Sequence, residues 1–297
     1  MSLIAVIVPI MIMMGAGYLL ARYTSVETSS LSRVTIYLLS PSLVFTAMVK
    51  TDLAATGGYR LVALLVTHYV LLLTLAYATG RLLRLPAIER NGFTLAGVLY
   101  NAGNYGLPVA LFAFGQEGFR LAAVIYVLGA VVTNSVGVYV ASAGRNPVRQ
   151  AVGDVFRLPL IYAAALGLAV EWSGWTVPQA IWRPLDLMGQ GAVPMLLIAL
   201  GVQLGQTRPQ VMNRALGALA LVRLVASPLL VAVLVPWFGV TGTAARVAVV
   251  STAMPTAINA FLLAAQFETA PALVASAVFT TTVASFATVS AVLALVR

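Results

Sequence analysis

The chain has 297 residues, of which 61% are hydrophobic and only 8% charged, with a mean hydropathy of +0.99. A soluble domain carries roughly a quarter charged residues, so this chain cannot cover a water-facing surface and most of its exterior must meet lipid. The net charge of +9 is spread as single arginines between apolar runs, which argues against a nucleic-acid face, and zero cysteines with one histidine, His68, exclude disulfides, thiol chemistry and Cys- or His-cluster metal sites.

From the N-terminus, Met1 to Ala21 is apolar from Leu3 onward, with no basic leader and no cleavage site. It reads as a first membrane helix, not a signal peptide. Crossing about 30 Å of hydrocarbon takes roughly 20 mainly apolar residues. Ten segments meet this: 3–21, 31–49, 61–80, 91–114, 119–143, 155–171, 185–205, 214–236, 244–267 and 272–296. Membrane strands would alternate apolar and polar residues; runs such as Leu61–Val66 and Leu229–Val235 do not. The fold class is therefore all-α integral membrane, with no soluble domain.

Orientation follows lysine and arginine in the short loops. Ten basic residues flank the odd-numbered loops (Arg22, Arg33, Arg81, Arg84, Arg90, Arg145, Arg149, Arg157, Arg208, Arg214) against six at the even loops and C-terminus (Lys50, Arg60, Arg120, Arg183, Arg246, Arg297). This places the odd loops in the cytoplasm and both termini outside a cell membrane. The most polar central stretch, Gly144–Gln150, lies in a cytoplasmic linker at 144–153 that separates a five-helix repeat at 1–143 from a second at 154–297. An odd number of helices per half makes the repeat inverted. Prolines at matching places support it weakly: Pro41 with Pro194, and Pro108 with Pro255.

The strongest local signal is Asn101-Ala102-Gly103-Asn104-Tyr105-Gly106-Leu107-Pro108 in the fourth segment. Interior glycine costs a helix about 1 kcal/mol and proline about 3 kcal/mol. An unwound stretch is expected at 102–107, with Pro108 opening a second half-helix. In the ninth segment, Pro255 is expected to break the helix one turn before Asn259. Two such breaks from opposite halves, side by side, make the usual midplane site of an inverted-repeat transporter. The half-helix N-termini after Pro108 and Pro255 would hold an anion, aided mainly by Asn104 and Asn259, with Asn101 in the same motif. The bland alternative is a pair of proline kinks repaired by neighbours.

The motif resembles the fourth-helix motif of the auxin efflux carrier family, which includes bacterial permeases and, more distantly, plant PIN-type carriers. Length, ten-segment layout, short central loop, Pro255 and Asn259 agree, so the resemblance covers essentially the whole chain. It implies a fold shared with bile acid:sodium symporters and sodium/proton antiporters. There, helices 1, 2, 6 and 7 form a scaffold and homodimer interface, and helices 3–5 and 8–10 form a moving transport domain with crossed fourth and ninth helices. It also implies transport of organic acids such as malate, malonate or indole-acetate.

Other intramembrane polar residues are read with two meanings. Arg223 either balances substrate charge or snorkels to the surface. His68 either relays protons or is hydrogen-bonded within the bundle. Asn134 heads the polar groups of the fifth segment and either lines a cavity or glues helices together. Gly201-Val202-Gln203-Leu204-Gly205 fits close helix packing, including across a dimer. All eight acidic residues lie near segment ends, which argues against a cation as main substrate. No cofactor is expected, and coupling to H+ or Na+ stays open. The leading function is a secondary active or facilitative carrier of small organic anions working by alternating access, of elevator type. The alternatives are a sodium-coupled symporter of the bile acid type and a membrane channel. An intramembrane enzyme lacks its nucleophile, base or metal constellation.

Overall fold

The computed structural model describes residues 3–52, 57–143, 153, 155–207 and 212–296. Most of the expected linker at 144–153 and Arg145, Arg149, Asp154, Arg208 and Arg297 lie outside the described residues. The described elements are all helical: α1 (Leu3–Tyr23), α2 (Thr28–Val34), α3 (Ser40–Val49), α4 (Gly58–Leu82), α5 (Ala87–Val98), α6 (Leu107–Val132), α7 (Val138–Ala141), α8 (Pro159–Ser173), α9 (Gln179–Gln206), α10 (Arg214–Leu221), α11 (Ser227–Trp237), α12 (Gly242–Thr252), α13 (Ile258–Gln266) and α14 (Pro271–Leu295). Among these residues, strand-like pairing is confined to one isolated antiparallel bridge, Tyr100 with Thr256.

Seven described helical stretches are long and apolar enough to cross a membrane: Ile4–Tyr23, Ser30–Val49, Gly58–Leu82, Ala102–Ala141, Gln179–Gln206, Arg214–Trp237 and Pro271–Leu295. The 40-residue stretch Ala102–Ala141 turns at Gly115, whose φ of 66° and ψ of −158° fall in backbone space open essentially to glycine alone. Three expected segments appear as shorter pieces. Segment 155–171 is the 15-residue α8, 244–267 is α12 and α13, and 91–114 is α5 followed by the start of Ala102–Ala141. Bulky apolar side chains point outward, among them Ile4, Ile12, Leu229 and Val233, as they must on a surface that meets hydrocarbon.

Four π-helical turns interrupt the α-helices, at Thr35–Leu39, Ala102–Gly106, Thr133–Gly137 and Val222–Ala226. Three end two residues before a proline: Pro41, Pro108 and Pro228. Proline brings no N–H and its ring clashes with the carbonyl four residues earlier. That carbonyl falls inside the π-turn each time, at Tyr37, Asn104 and Leu224, so a one-residue widening of the helix relieves the clash. This corrects the expected unwinding at 102–107, which is a π-turn running into α6. The backbone leaves helical geometry earlier, after Val98: Leu99 is extended (φ −83°, ψ 105°) and Tyr100 forms the bridge. The paired prolines of the two halves also behave differently. Pro41 follows a π-turn, whereas Pro194 lies inside the continuous helix α9.

The chain divides into two compact units. The first comprises Met1–Gly58, Gly103–Val127 and Phe156–Gln206. Within it α9 packs along α1 and α3, and α3 packs on α8. The α1–α9 seam is backbone against backbone: a Cβ at Gly201 would stand 2.0 Å from the Met14 carbonyl oxygen, and one at Gly17 would stand 2.1 Å from that of Ile198. Gly205 meets Ala21 and Tyr18 in the same seam. The small-residue face of α9 is thus used within the chain, against α1. The second unit comprises Tyr59–Ala102, Leu128–Val155 and Thr207–Arg297. There α14 packs on α5, α10 and α13, and α11 packs on α12.

The seam yields a paired prediction. Gly201→Ala has no room and is expected to lower stability by about 1–3 kcal/mol, the usual cost of overpacking. Gly191→Ala, on the same helix with nothing within 4 Å, is expected to be neutral or to gain up to about 1 kcal/mol of helix propensity. Thermal unfolding of the two purified variants checks the difference; equal melting temperatures would contradict the seam.

Candidate transport site

Two helices of the second unit, α5 and α12, end inside the protein, at Val98 and Thr252. The last four carbonyls of a helix have no partner within it, and an unpaired buried carbonyl costs about as much as a lost hydrogen bond. Here the two chain breaks satisfy one another. The Asn101 N–H donates to the Pro255 carbonyl at 2.8 Å and the Ala257 N–H to the Leu99 carbonyl at 2.7 Å, on either side of the Tyr100–Thr256 bridge. The Thr256 hydroxyl donates to the Ala96 carbonyl at 2.9 Å, and its N–H donates to the Thr281 hydroxyl at 3.0 Å. Thr281 in turn donates to the Ala277 carbonyl of its own helix. Every one of Thr252, Thr256 and Thr281 is fully buried.

The remaining carbonyls go to Arg223. Its guanidinium, with no exposed surface, donates through one terminal nitrogen to Gly97 O at 2.9 Å and Val98 O at 3.4 Å. The other nitrogen reaches Thr252 O at 2.5 Å and the Ser227 hydroxyl. Ser227 donates its single proton to Thr252 O at 2.8 Å, so His68 Nε2, 3.0 Å from Ser227 Oγ, must be the donor to Ser227. Above the guanidinium lies the Tyr100 ring, 5.0 Å from Cζ and stacked on Tyr69 at 5.3 Å between centroids, a cation–π arrangement. No carboxylate touches Arg223 among the described residues. Each helix C-terminus carries about half a negative charge, so the two ends together match one guanidinium. A central arginine costs roughly 2.5–3.5 kcal/mol in a membrane helix; charge-assisted hydrogen bonds, each about 1.5–3 kcal/mol, offset it.

The structure therefore brings Asn101, Pro255 and Arg223 to one crossing and rules out the snorkelling alternative for Arg223. His68 is likewise hydrogen-bonded within the bundle. Asn259 lies in the first turn of α13 and is exposed, and the N-cap residue of this helix, Ala257, provides no side-chain cap. Asn134 sits in the π-turn Thr133–Gly137, which packs against α13, and donates to Ala130 O of its own helix at 2.9 Å. In that turn Gly137 lies against the Leu99 and Leu263 side chains. Asn104 and Pro108 belong to the first unit. Asn104 is half-buried in the π-turn Ala102–Gly106, where Gly103 lies against the Tyr126 ring, and Pro108 is buried. Sequence reasoning missed Ser227, Thr252 and Thr256 as members of the crossing. Thr252 and Thr256 had a signal in flanking Pro255 within the broken ninth segment; Ser227 had none beyond being small and polar.

A test of the crossing uses an isosteric change. Thr256→Val keeps the shape but leaves the Ala96 carbonyl without its donor, and is expected to cost about 1–3 kcal/mol of stability. Thr67→Val, which removes only an exposed bond to Ala63 O on its own helix, is expected to cost nothing measurable. Denaturation of the two variants in the same detergent checks this, and an unchanged Thr256→Val protein would contradict the pairing.

The chain resembles known transporters over most of its length. The chain is 29% identical over 264 residues, 87% of its own length and 86% of the relative's, to a protein of Methanothermobacter thermautotrophicus named "Uncharacterized transporter". It is 26% identical over 263 residues, 85% and 84% of the two lengths, to another uncharacterized transporter from Methanocaldococcus jannaschii. It is also 26% identical over 295 residues, 95% and 92% of the lengths, to a Rhizobium meliloti protein named "Putative malonate transporter". Residues 2–293 match a single family, described as Membrane transport protein. The chain is a multi-pass membrane transporter, not an enzyme, and it belongs to this family, the one that its Asn101–Pro108 motif resembles.

Proposed function

We propose that the protein is a secondary carrier of small organic anions, with dicarboxylates such as malonate as the first class to test. One observation carries the proposal. At the crossing the negative helix ends are closed by Arg223, while the positive end of α13 starts from Ala257, whose methyl group cannot cap it, and has exposed Asn259 in its first turn. A helix N-terminus with an amide beside it favours an anion. Asn101 and Asn134, in elements that pack near α13, are the accompanying polar groups; Asn104 and Pro108 stay candidates on their place in the motif. The relative named for malonate supports the substrate class.

The wider reading is an inverted repeat of ten helices, with alternating access of elevator type, helices 1, 2, 6 and 7 as scaffold and dimer interface, and both termini outside the cell membrane. Arginine asymmetry and the family support it. The chain lacks cysteine, so a single cysteine at Asn146 gives a clean topology probe; labelling it from outside intact cells would reject this orientation.

Asn259→Ala is expected to weaken malonate binding about ten- to a hundredfold, the equivalent of one charge-assisted bond of about 1.5–3 kcal/mol, with the melting temperature unchanged. Asn259→Asp should bind less still, since it sets a negative charge against the substrate's own. Isothermal titration and malonate counterflow in proteoliposomes read both. Unaltered affinity in Asn259→Ala and in Asn104→Ala would place the site elsewhere.

A further inference from the structure

We propose that the Arg223 guanidinium is the crossing's resident cation, filling the oxygen cage that a coupling sodium ion would otherwise require, so that transport through this protein proceeds without Na+. Its consequence for transport rests on the carrier reading above; the cation site itself rests on geometry alone.

The cage consists of the Gly97, Val98 and Thr252 carbonyl oxygens and the Ser227 hydroxyl. These are hard, neutral oxygen donors, the three carbonyls at the negative ends of two helices that stop inside the protein, and such ends and unwound carbonyls are where secondary transporters coordinate a driving cation. In this chain a neighbouring π-turn, Val222–Ala226, delivers a permanent positive charge into that position. Thr252 O is saturated, since it accepts from both the guanidinium and the Ser227 hydroxyl, and the Ala96 carbonyl is taken by Thr256. The Tyr100 ring closes one face of the guanidinium. A mobile cation would meet occupied oxygens and a fixed like charge.

The same geometry argues against Arg223 as a substrate counter-ion. Both terminal nitrogens are engaged with the cage, and only Nε has no partner. The two-pronged edge by which arginine grips a carboxylate is turned toward backbone carbonyls. Arginine suits the position because it stays charged in a buried site and its planar fork spans the ends of two helices at once. A lysine ammonium, a point charge, would reach fewer of these oxygens.

The test uses the purified full-length protein without substrate, so that it is independent of whether malonate binds. Thermal unfolding is followed in choline, sodium, potassium and guanidinium chlorides at matched ionic strength. The wild type is expected to melt at one temperature in choline, sodium and potassium. Arg223→Ala is expected to melt lower in choline and to recover, saturably, as guanidinium is added at concentrations too low to denature the wild type. Arg223→Lys, which retains the charge but loses the fork, is expected to lie between the two. Saturable stabilisation of the wild type by sodium over choline and potassium would overturn the proposal. So would an Arg223→Ala protein as stable as wild type, or one that guanidinium fails to rescue. If Arg223→Ala does not fold in choline, its recovery on purification in guanidinium supports the proposal, and failure to recover overturns it. Absence of malonate binding in the wild type, by contrast, would remove the carrier reading while leaving these melting data to stand.

Discussion

The hydrogen bonds from one buried guanidinium to the last carbonyls of α5 and α12 set what the rest of the second unit can be. A helix that stops in a membrane interior exposes carbonyls where no water can solvate them, and such backbone persists only against protein or a wet cavity. Arg223 supplies donors to both ends at once, and its charge matches the two helix dipoles. With the carbonyls held, Leu99–Asn101 and Pro255–Ala257 can leave helical geometry and pair with each other as short extended segments. That pairing fixes where α13 begins, and therefore where its N-terminus and Asn259 are presented. Charge, backbone pairing and site placement form one chain of dependence.

Serine, threonine and histidine complete what arginine begins. Ser227 ties Thr252 O to His68, Thr256 reaches back to Ala96, and Thr281 accepts from the Thr256 N–H at the bridge. Removing the Thr256 or Thr281 hydroxyl leaves a buried backbone group, the Ala96 carbonyl or the Thr256 N–H, without its partner, which costs more than an average hydrogen bond contributes. These hydroxyls are placed by tertiary contact, and each is fully buried.

Much of this was legible in the residues, and the failures have physical reasons. Apolar length identified the membrane class, and Asn101–Pro108 pointed to the family and to a disturbed fourth helix. The place of the disturbance was off by a few residues because glycine and proline were counted as local breakers. Proline at 108 needs only a wider turn before it, which Ala102–Gly106 provides as a π-turn. Leu99 and Tyr100, ordinary helix residues by composition, leave the helix because their partners lie more than 150 positions away, at Thr256 and Ala257. No local pattern encodes that. Arg223 was recognisable as costly, yet a sequence cannot show whether a guanidinium meets lipid headgroups or helix ends. Pro194 mirrored Pro41 in spacing but runs through an unbroken helix, and Gly201 proved to serve the α1 seam within the chain. Periodicity found the elements, while the crossing required knowing which distant backbone groups meet.

Backbone hydrogen exchange at Asn101 and Ala257 tests the crossing most directly, because both amides lie outside any helix and are protected only if they donate across it. Protection depends on the free energy of opening the bond. Asn101 and Ala257 are predicted to exchange as slowly as amides in the middle of α5 and α14. Exchange at these two positions as fast as in an unpaired loop would contradict the paired crossing and, with it, the placement of the site.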